Sequence, residues 1–432
     1  MKSNIFQLAI LAVFAFLAIA GVIFFAFFSS GGKSTTGNVT LWGTLDASIM
    51  KEQLEFIRDA TEDVEQRITY VEKDPRTYND DLIEALASGT GPDLFLLAQD
   101  DIVRQLNKIF VVSYDTYTER KFKDTFIEVT ELYLYPEGIV ALPYVIDPLV
   151  LYWNRDILSR EGIATPPEFW DEFFQLSPKI TKRDEASNIL RATVALGEFR
   201  NVTHAKDIIS VLMIQAGNPI VVRTEGGDLR NVLTENLGFA IRPAELALRF
   251  YTEFSNPIKA VYSWNRALPD SRDAFLADDL AFYFGFASEL GDLRRANPNL
   301  NFDVAMLPQT RDDGLRATFG RVQAFAITNA SRNKKGALLA ARLLSSEGSL
   351  SNLASLNNLP PVSRKLLAKR PTDDIQPIFF DSALIARAWL DPDKKKSEDI
   401  FKDMIESITS GKFRVDKALT DAARELKDLL RK

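Results

Sequence analysis

The side chains that could do chemistry are polar acceptors scattered among apolar runs: Asp46, Gln99, Asp100, Asp147 and Glu198. Carboxylates and amides of this kind can hold pairs of solute hydroxyls, because a few placed polar groups fix orientation in a mostly apolar cleft. For any one carboxylate the plainer reading is a helix cap or a solvated loop, and Asp46 in particular is placed to cap a helix beginning near Ile49. Tyr144 lies beside Asp147, and Phe284-Gly285-Phe286 closes a short apolar run. Arg321 and Gln323 open another run, where an arginine could pair with an acidic ligand or with a cleft carboxylate. Hydrolysis of a glycan would need two carboxylates about 5–10 Å apart. Asp100 and Glu198 could only meet that way if two lobes closed on each other. No nucleophile elbow and no His–Glu metal helix is present. The single histidine, His204, sits in RNVTHAKD beside a helix start and reads as a surface or capping residue.

These groups need a frame, and 432 residues fit two domains better than one core. With 46% hydrophobic and 26% charged residues the composition is that of a globular chain. A net charge of −7 argues against a nucleic-acid partner, whose phosphates demand a basic face. The absence of cysteine excludes disulfides, thiolate metal sites, cysteine nucleophiles and a lipid-modified N-terminal cysteine. No metal or cofactor is expected.

Ile5–Phe28 carries no charge over 24 residues. As a helix it would span about 36 Å, enough for a hydrocarbon core of roughly 30 Å. With Lys2 in front of it, the N-terminus is expected inside and the rest outside. Ala18-Ile19-Ala20 offers a rival cleavage site, but cutting there would leave GVIFFAFF on the product. We therefore read residues 1–28 as a transmembrane signal-anchor and 29–38 as a flexible tether reaching about 17 Å. Gly32-Lys33-Ser34 only mimics a phosphate loop, since Phe27 stands where its first glycine belongs.

Beyond the tether, Val39–Trp42, Ile68–Val71 and Asp93–Ala98 read as strands, with helices over 50–57 and 78–87 between them. That alternation predicts an α/β lobe with a mainly parallel sheet. Ligands bind outside the carboxyl ends of such strands, which singles out Trp42, Thr44 and Asp46 together with Gln99 and Asp100. In LPYVIDPLVLYWNRDIL (142–158) two apolar runs are broken by Pro143 and Asp147-Pro148, an interrupted extended segment suited to a crossover between lobes. Thr165-Pro166-Pro167-Glu168 reads as a capping box, and Ser331 as the cap of a helix to Leu344. Helices are also expected over 205–216, 244–254 and 415–430, and short strands over 281–284 and 324–328.

Taken in order, these segments resemble the extracellular solute-binding proteins of ABC importers, family 1, of the maltose/sugar-binding type. LPYVIDPLVLYWNRDIL is similar to that family's "lP…d…vlyyNkdlf", SGTGPDLFLLAQD to its "asGtgPDvf", and PPEFWDE to its "P.TWdE". Phe275 to Gly285 is similar to "F..G.aAm..g.w", and SGKFRVDKAL to "G..t.deAL". The resemblance implies a two-lobed periplasmic-binding-protein-like α/β fold (type II), here preceded by the transmembrane helix. Lobe 1 would comprise 39–143 plus 308–360, and lobe 2 would comprise 144–307 plus 361–432. It also implies a monomeric, non-enzymatic receptor on the extracellular or periplasmic face. Such a receptor passes a small solute, a saccharide before a polyamine or amino-acid derivative, to a separate importer permease and ATPase. Trp42 and Trp264 fall where the family often places sugar-stacking aromatics, and Trp389 is a third candidate. Trp153 and Trp170 read as core.

Overall fold

The computed structural model describes residues 37–60, 67–224, 226–311 and 314–431. The expected membrane span over 5–28 and most of the tether lie outside them. Among the described residues no helix is long and apolar enough to cross a membrane.

The first lobe opens with β1 (Asn38–Gly43), α1 (Ala47–Ala60), β2 (Arg67–Glu72), α2 (Tyr78–Ser88) and β3 (Leu94–Ala98). β1 lies parallel between β2 and β3. Alternate residues of β1 are buried, whereas Leu94 to Leu97 of β3 are buried in succession, the pattern of a strand covered on both faces. A hairpin, β4 (Leu134–Tyr135) and β5 (Gly138–Ile139), then leads into β6 (Leu142–Asn154).

β6 corrects the expectation that its prolines break it, for it runs as one 13-residue strand. Its partner changes instead. Residues 142–148 pair antiparallel with β13 (Thr318–Ile327), and residues 149–153 pair antiparallel with β11 (Leu280–Phe286). A proline lacks the ladder donor, and Pro148 is tolerated because it stands where one partner ends and the next begins. β6 thus belongs to both lobes. One ten-stranded sheet results: eight strands run in the order β2-β1-β3-β13-β6-β11-β8-β7, with β7 (Lys182–Arg183) and β8 (Ile189–Val194) at the far edge, while β12 (Phe302–Ala305) pairs with β6 and a short β14 (Ala386–Arg387) with β13 off that path. The first-lobe portion is mixed rather than mainly parallel, because β13 returns antiparallel against both β3 and β6.

The second lobe surrounds β11 and β8 with α3 (Phe173–Ile180), α4 (Ala205–Gln215) and α5 (Pro243–Glu253). A second hairpin is formed by β9 (Val221–Arg223) and β10 (Leu229–Asn231). α6 (Lys334–Leu344) and α7 (Glu347–Asn357) complete the first lobe, where buried Gln53 of α1 donates to the Ser349 carbonyl of α7. β14 (Ala386–Arg387) runs beside Thr318 and Phe319, after which α8 (Lys394–Thr409) and α9 (Val415–Leu430) pack on each other. α9 presents Ala418, Leu419, Ala422, Ala423 and Leu426 as its buried stripe, at helical spacing.

Two caps differ from expectation. α6 is capped by Asn333, whose side chain accepts from Gly336, while Ser331 instead donates to Asp93. The Thr165 capping box does not form. Glu172 accepts from the Glu168 amide and the helix starts only at Phe173. The return crossover is braced by a buried amide knot: Trp170 Nε1 donates to Gln215 Oε1 at 2.6 Å, and Gln215 Nε2 donates to the Ala317 carbonyl at 2.6 Å and the Pro308 carbonyl at 3.1 Å. Buried amides must be satisfied, so this knot fixes how Pro308–Ala317 leaves the second lobe.

Candidate functional site

Where the carboxyl end of β3 faces the start of α4, a cavity of about 530 Å³ lies between the lobes. Asp100 and Arg321 line it from the first lobe; Phe199, His204, Lys206, Asp207, Asp270 and Lys394 line it from the second. Two ion pairs cross it. Arg321 Nη2 stands 2.6 Å from Asp207 Oδ2, and Lys394 Nζ stands 2.8 Å from Asp100 Oδ2.

Arg321 is aimed by its strand and its neighbours. In register it stands opposite Asp147 on β6, its guanidinium lies 3.8 Å over the Phe286 ring, and His204 Nδ1 is 3.4 Å from Nη2. His204 adopts a left-handed backbone at the head of α4, with its other ring nitrogen 2.7 Å from Glu289 Oε1. Glu289 also accepts from the Tyr283 hydroxyl and the Phe286 amide. Burial alone would raise the Glu289 carboxyl, but His204, Tyr283 and Phe286 together hold it below the usual range. Asp100 is likewise opposed by burial and held low by Lys394, with Lys206 and Arg321 contributing. Its Oδ1 is buried and has no hydrogen-bond partner among the described residues. Behind the cavity wall, Lys206 donates to Asp391 at 2.6 Å and to Ser397 at 2.9 Å, which ties the start of α8 to α4.

Of the residues read from the sequence, the structure brings together Asp100, Asp147, Phe286 and Arg321. Trp42, near the end of β1, and Thr44, just beyond it, are half-buried, and the Lys73 ammonium covers the Trp42 ring at 3.8 Å. Asp46 is exposed and accepts from the Ser48 amide, the capping role. Gln99 accepts from the Val322 amide, and Gln323 accepts from the Tyr144 hydroxyl, so these three hold β3, β13 and β6 in place. Gly285 pairs with Val150 inside the sheet. The remaining expectations are corrected. Trp264 is fully buried, and Phe284 packs among Trp170 and Phe173. Trp389 stacks on Phe401 while its Nε1 donates to Ser210. Glu198 is buried with Arg266, away from the cavity, so it cannot face Asp100 as a hydrolytic pair.

Sequence reasoning missed His204, Lys206, Asp207 and Lys394. The first three follow one another closely at a helix start and could have been flagged together. Lys394 opens a run of three lysines that reads as solvated surface.

Asp147 carries a testable pH dependence. Burial pushes its carboxyl up to about 6, against the pull of the Ser288 amide and Arg321. In the unfolded chain an aspartate titrates near 3.9. The native state therefore binds a proton the unfolded chain lacks, and stability rises as pH falls from 7 toward 4, by up to roughly 3 kcal/mol. Asp147→Asn is expected to be more stable than the parent at pH 8 and to converge with it near pH 4. Urea unfolding at both values checks this.

The fold and cleft define the class of protein. The profile of the bacterial extracellular solute-binding protein family matches residues 66–349, well over half of the chain, and the chain belongs to that family. It is a binding protein, not an enzyme. Among solved structures it is similar to a cyclic α-maltosyl-1,6-maltose-binding protein of Arthrobacter globiformis (17% identity, TM-score 0.73, 91% of this chain and 99% of that one). It is also similar to a maltose-binding periplasmic protein of Listeria monocytogenes solved with maltose (18%, 0.71, 91% and 98%). A third is a cyclo/maltodextrin-binding protein solved with maltotetraose (16%, 0.72, 90% and 96%). At these identities the likeness establishes the two-lobed fold. A provisionally named binding protein of Brucella abortus is 27% identical over 99 residues, so the chain spans 23% of the length of that curated relative.

Proposed function

We propose that this chain is the receptor of an ABC importer and closes its two lobes on a neutral sugar or oligosaccharide in the cavity at Asp100 and Arg321. The observation that carries the reading is the charge balance of that cavity. Asp100 is matched by Lys394, Asp207 by Arg321, and Asp391 behind the wall by Lys206. The lining as a whole carries six cationic and five acidic side chains, so it holds no acidic surplus for a polyamine to neutralise, yet its pairs present carboxylate and cationic hydrogen-bonding groups side by side. A sugar hydroxyl can donate to one and accept from the other. The buried, unpartnered Asp100 Oδ1 is a ready acceptor for such a hydroxyl. That the three structural relatives bind maltose-type saccharides supports the same choice.

A solute that bridges the lobes favours the closed state by its differential affinity for it. Residues 361–367 pack on the first lobe, where Ile127 donates to the Val362 carbonyl and Arg364 to the Phe126 carbonyl. The third crossover is therefore best drawn between Arg387 and Lys394 rather than near 360. We read residues 5–28 as the anchor that keeps this monomeric receptor at the outer membrane face, beside its permease and ATPase. Recovery of the chain in the membrane fraction, and its release on deletion of residues 1–28, checks that part.

Tryptophan-fluorescence melts against mono- and oligosaccharides, polyamines and amino acids test the solute. A ligand at 100 times its Kd adds about 2.7 kcal/mol of stability. Asp100→Asn is expected to weaken saccharide binding by about 10- to 100-fold, the worth of one charge-assisted hydrogen bond. Shifts confined to amines would overturn the neutral-sugar assignment.

A further inference from the structure

His204 stands where a helix cap belongs and does not cap. Ahead of α4 a serine, threonine, aspartate or asparagine would turn its side chain back onto the first free amides. The His204 ring makes no such bond, and its backbone is held at φ 62°. A left-handed backbone is uncommon away from glycine and persists where its surroundings over-determine it. Here the surroundings are the Phe286 ring, met edge-on at 4.8 Å, and two charged groups. Nε2 lies 2.7 Å from Glu289 Oε1, and Nδ1 lies 3.4 Å from Arg321 Nη2.

Those two neighbours decide where the imidazole hydrogen sits. A carboxylate only accepts, so Nε2 donates to Glu289; a guanidinium only donates, so Nδ1 accepts from Arg321. His204 is therefore a neutral imidazole with its hydrogen on Nε2, and its bare nitrogen is a second-lobe acceptor for a first-lobe arginine. The tautomer is set from behind, because the bond made by one ring nitrogen fixes the state of the other. Glu289 is itself held by the Tyr283 hydroxyl and the Phe286 amide. Arg321 Nη2 is also taken by Asp207, one turn along the same helix, at 2.6 Å. Nε and Nη1 of Arg321 make no hydrogen bond among the described residues, and Arg321 lines the cavity. They are the donors left for a solute hydroxyl.

We infer that His204 is the positioning residue of the cleft arginine: its Nδ1 holds Nη2 against Asp207, so that the remaining donors of Arg321 keep one orientation toward the cavity. His204 touches no solute itself. This rests on the reading that Arg321 contacts the solute, but not on what the solute is.

The chain has a single histidine, so labelling the full-length protein with ¹⁵N-histidine reports this ring alone. At neutral pH the spectrum is expected to show a protonated Nε2 and a bare Nδ1. Arg321→Met should move the Nδ1 resonance toward that of a free imine nitrogen and leave Nε2 in place. A hydrogen on Nδ1 in the parent, or an Nδ1 resonance indifferent to Arg321→Met, would overturn the inference. Rescue by a conservative variant separates positioning from packing. His204→Asn puts an amide oxygen where Nδ1 stands and tolerates the left-handed backbone. His204→Gln reaches Glu289 but leaves Arg321 without the acceptor. A double-mutant cycle of Arg321→Met and Asp207→Asn, read by urea unfolding, gives the coupling of that pair in each background. It is expected to be kept in His204→Asn and to fall by about half or more in His204→Gln. Equal coupling in the two backgrounds would count against His204 as decisively as the wrong tautomer. Both measurements are made without solute, so failure of the sugar assignment leaves their outcome intact.

Discussion

Replacing Lys206 by methionine is expected to destabilise the protein by about 3–5 kcal/mol, the loss typical when one partner of a buried ion pair is removed. Lys206 and Asp391 expose only 12% and 3% of their side chains. Methionine fills a similar volume, so packing is largely kept and the cost is electrostatic. Asp391 would be left buried with Ser397 as its one side-chain donor. Its carboxyl is already raised by burial in the native protein, with Lys206 and then Ser397 pulling it back. Without Lys206 it rises further, so the deficit of the variant is expected to shrink as pH falls and Asp391 takes up a proton. Adding Asp391→Asn should recover a large part of the loss, because the uncompensated charge is then gone; the double-mutant cycle reads the coupling. Urea unfolding can be followed on Trp389, whose ring lies 5.6 Å from the Lys206 ammonium. Function should suffer as well. Lys206 binds the Lys394 carbonyl and Ser397, the segment that delivers the Lys394 side chain to Asp100 across the cleft. Its removal frees the second-lobe half of the proposed solute site.

What could be read in advance follows from which forces are local. The Val415–Leu430 helix has its buried residues at helical spacing, and its observed ends are those expected from pattern alone. The apolar run before Gln99 suits a strand covered on both faces, and Leu94 to Leu97 are buried in succession. Prolines misled at β6, since a proline removes a donor without saying whether any partner needs one there. The change of partner from β13 to β11 at Pro148 is a property of the whole sheet. Caps were misread for a related reason. Ser331 and Asn333 are equally good local candidates, and only the distant Asp93, which draws the Ser331 hydroxyl away, decides between them. The site was half legible. Asp100 lies just past the carboxyl end of β3, where an α/β sheet exposes its ligands, whereas Arg321 stands inside β13 opposite Asp147. Lys394 reaches Asp100 across nearly three hundred residues of chain, and nothing in its own lysine run marks it off from its neighbours.

Trp264 makes the same point with the larger side chain, and Trp264→Ala is expected to cost about 3–5 kcal/mol of stability. Its surroundings in the sequence, YSWNR, are those of a polar loop, and a loop indole invites a stacking role. The loop folds inward. The Ser263 and Trp264 amides both donate to the Phe254 carbonyl at the end of α5, and the Ser263 hydroxyl donates to Val194 at the end of β8. These bonds pin the loop across the second lobe, and the indole between them is left with no solvent exposure. Truncation would open a cavity that a sheet edge and a helix end, both fixed by hydrogen bonds, cannot collapse to fill. Trp264→Phe distinguishes packing from a polar role. The indole N–H is buried without a partner, so losing it removes an unsatisfied donor, and the phenyl variant should stay within about 1.5 kcal/mol of the parent. A stacking platform would behave in the opposite way, with alanine costing affinity and leaving the melt unchanged. Melting curves and saccharide titrations on the alanine and phenylalanine variants separate the two, and we expect the melt to move first.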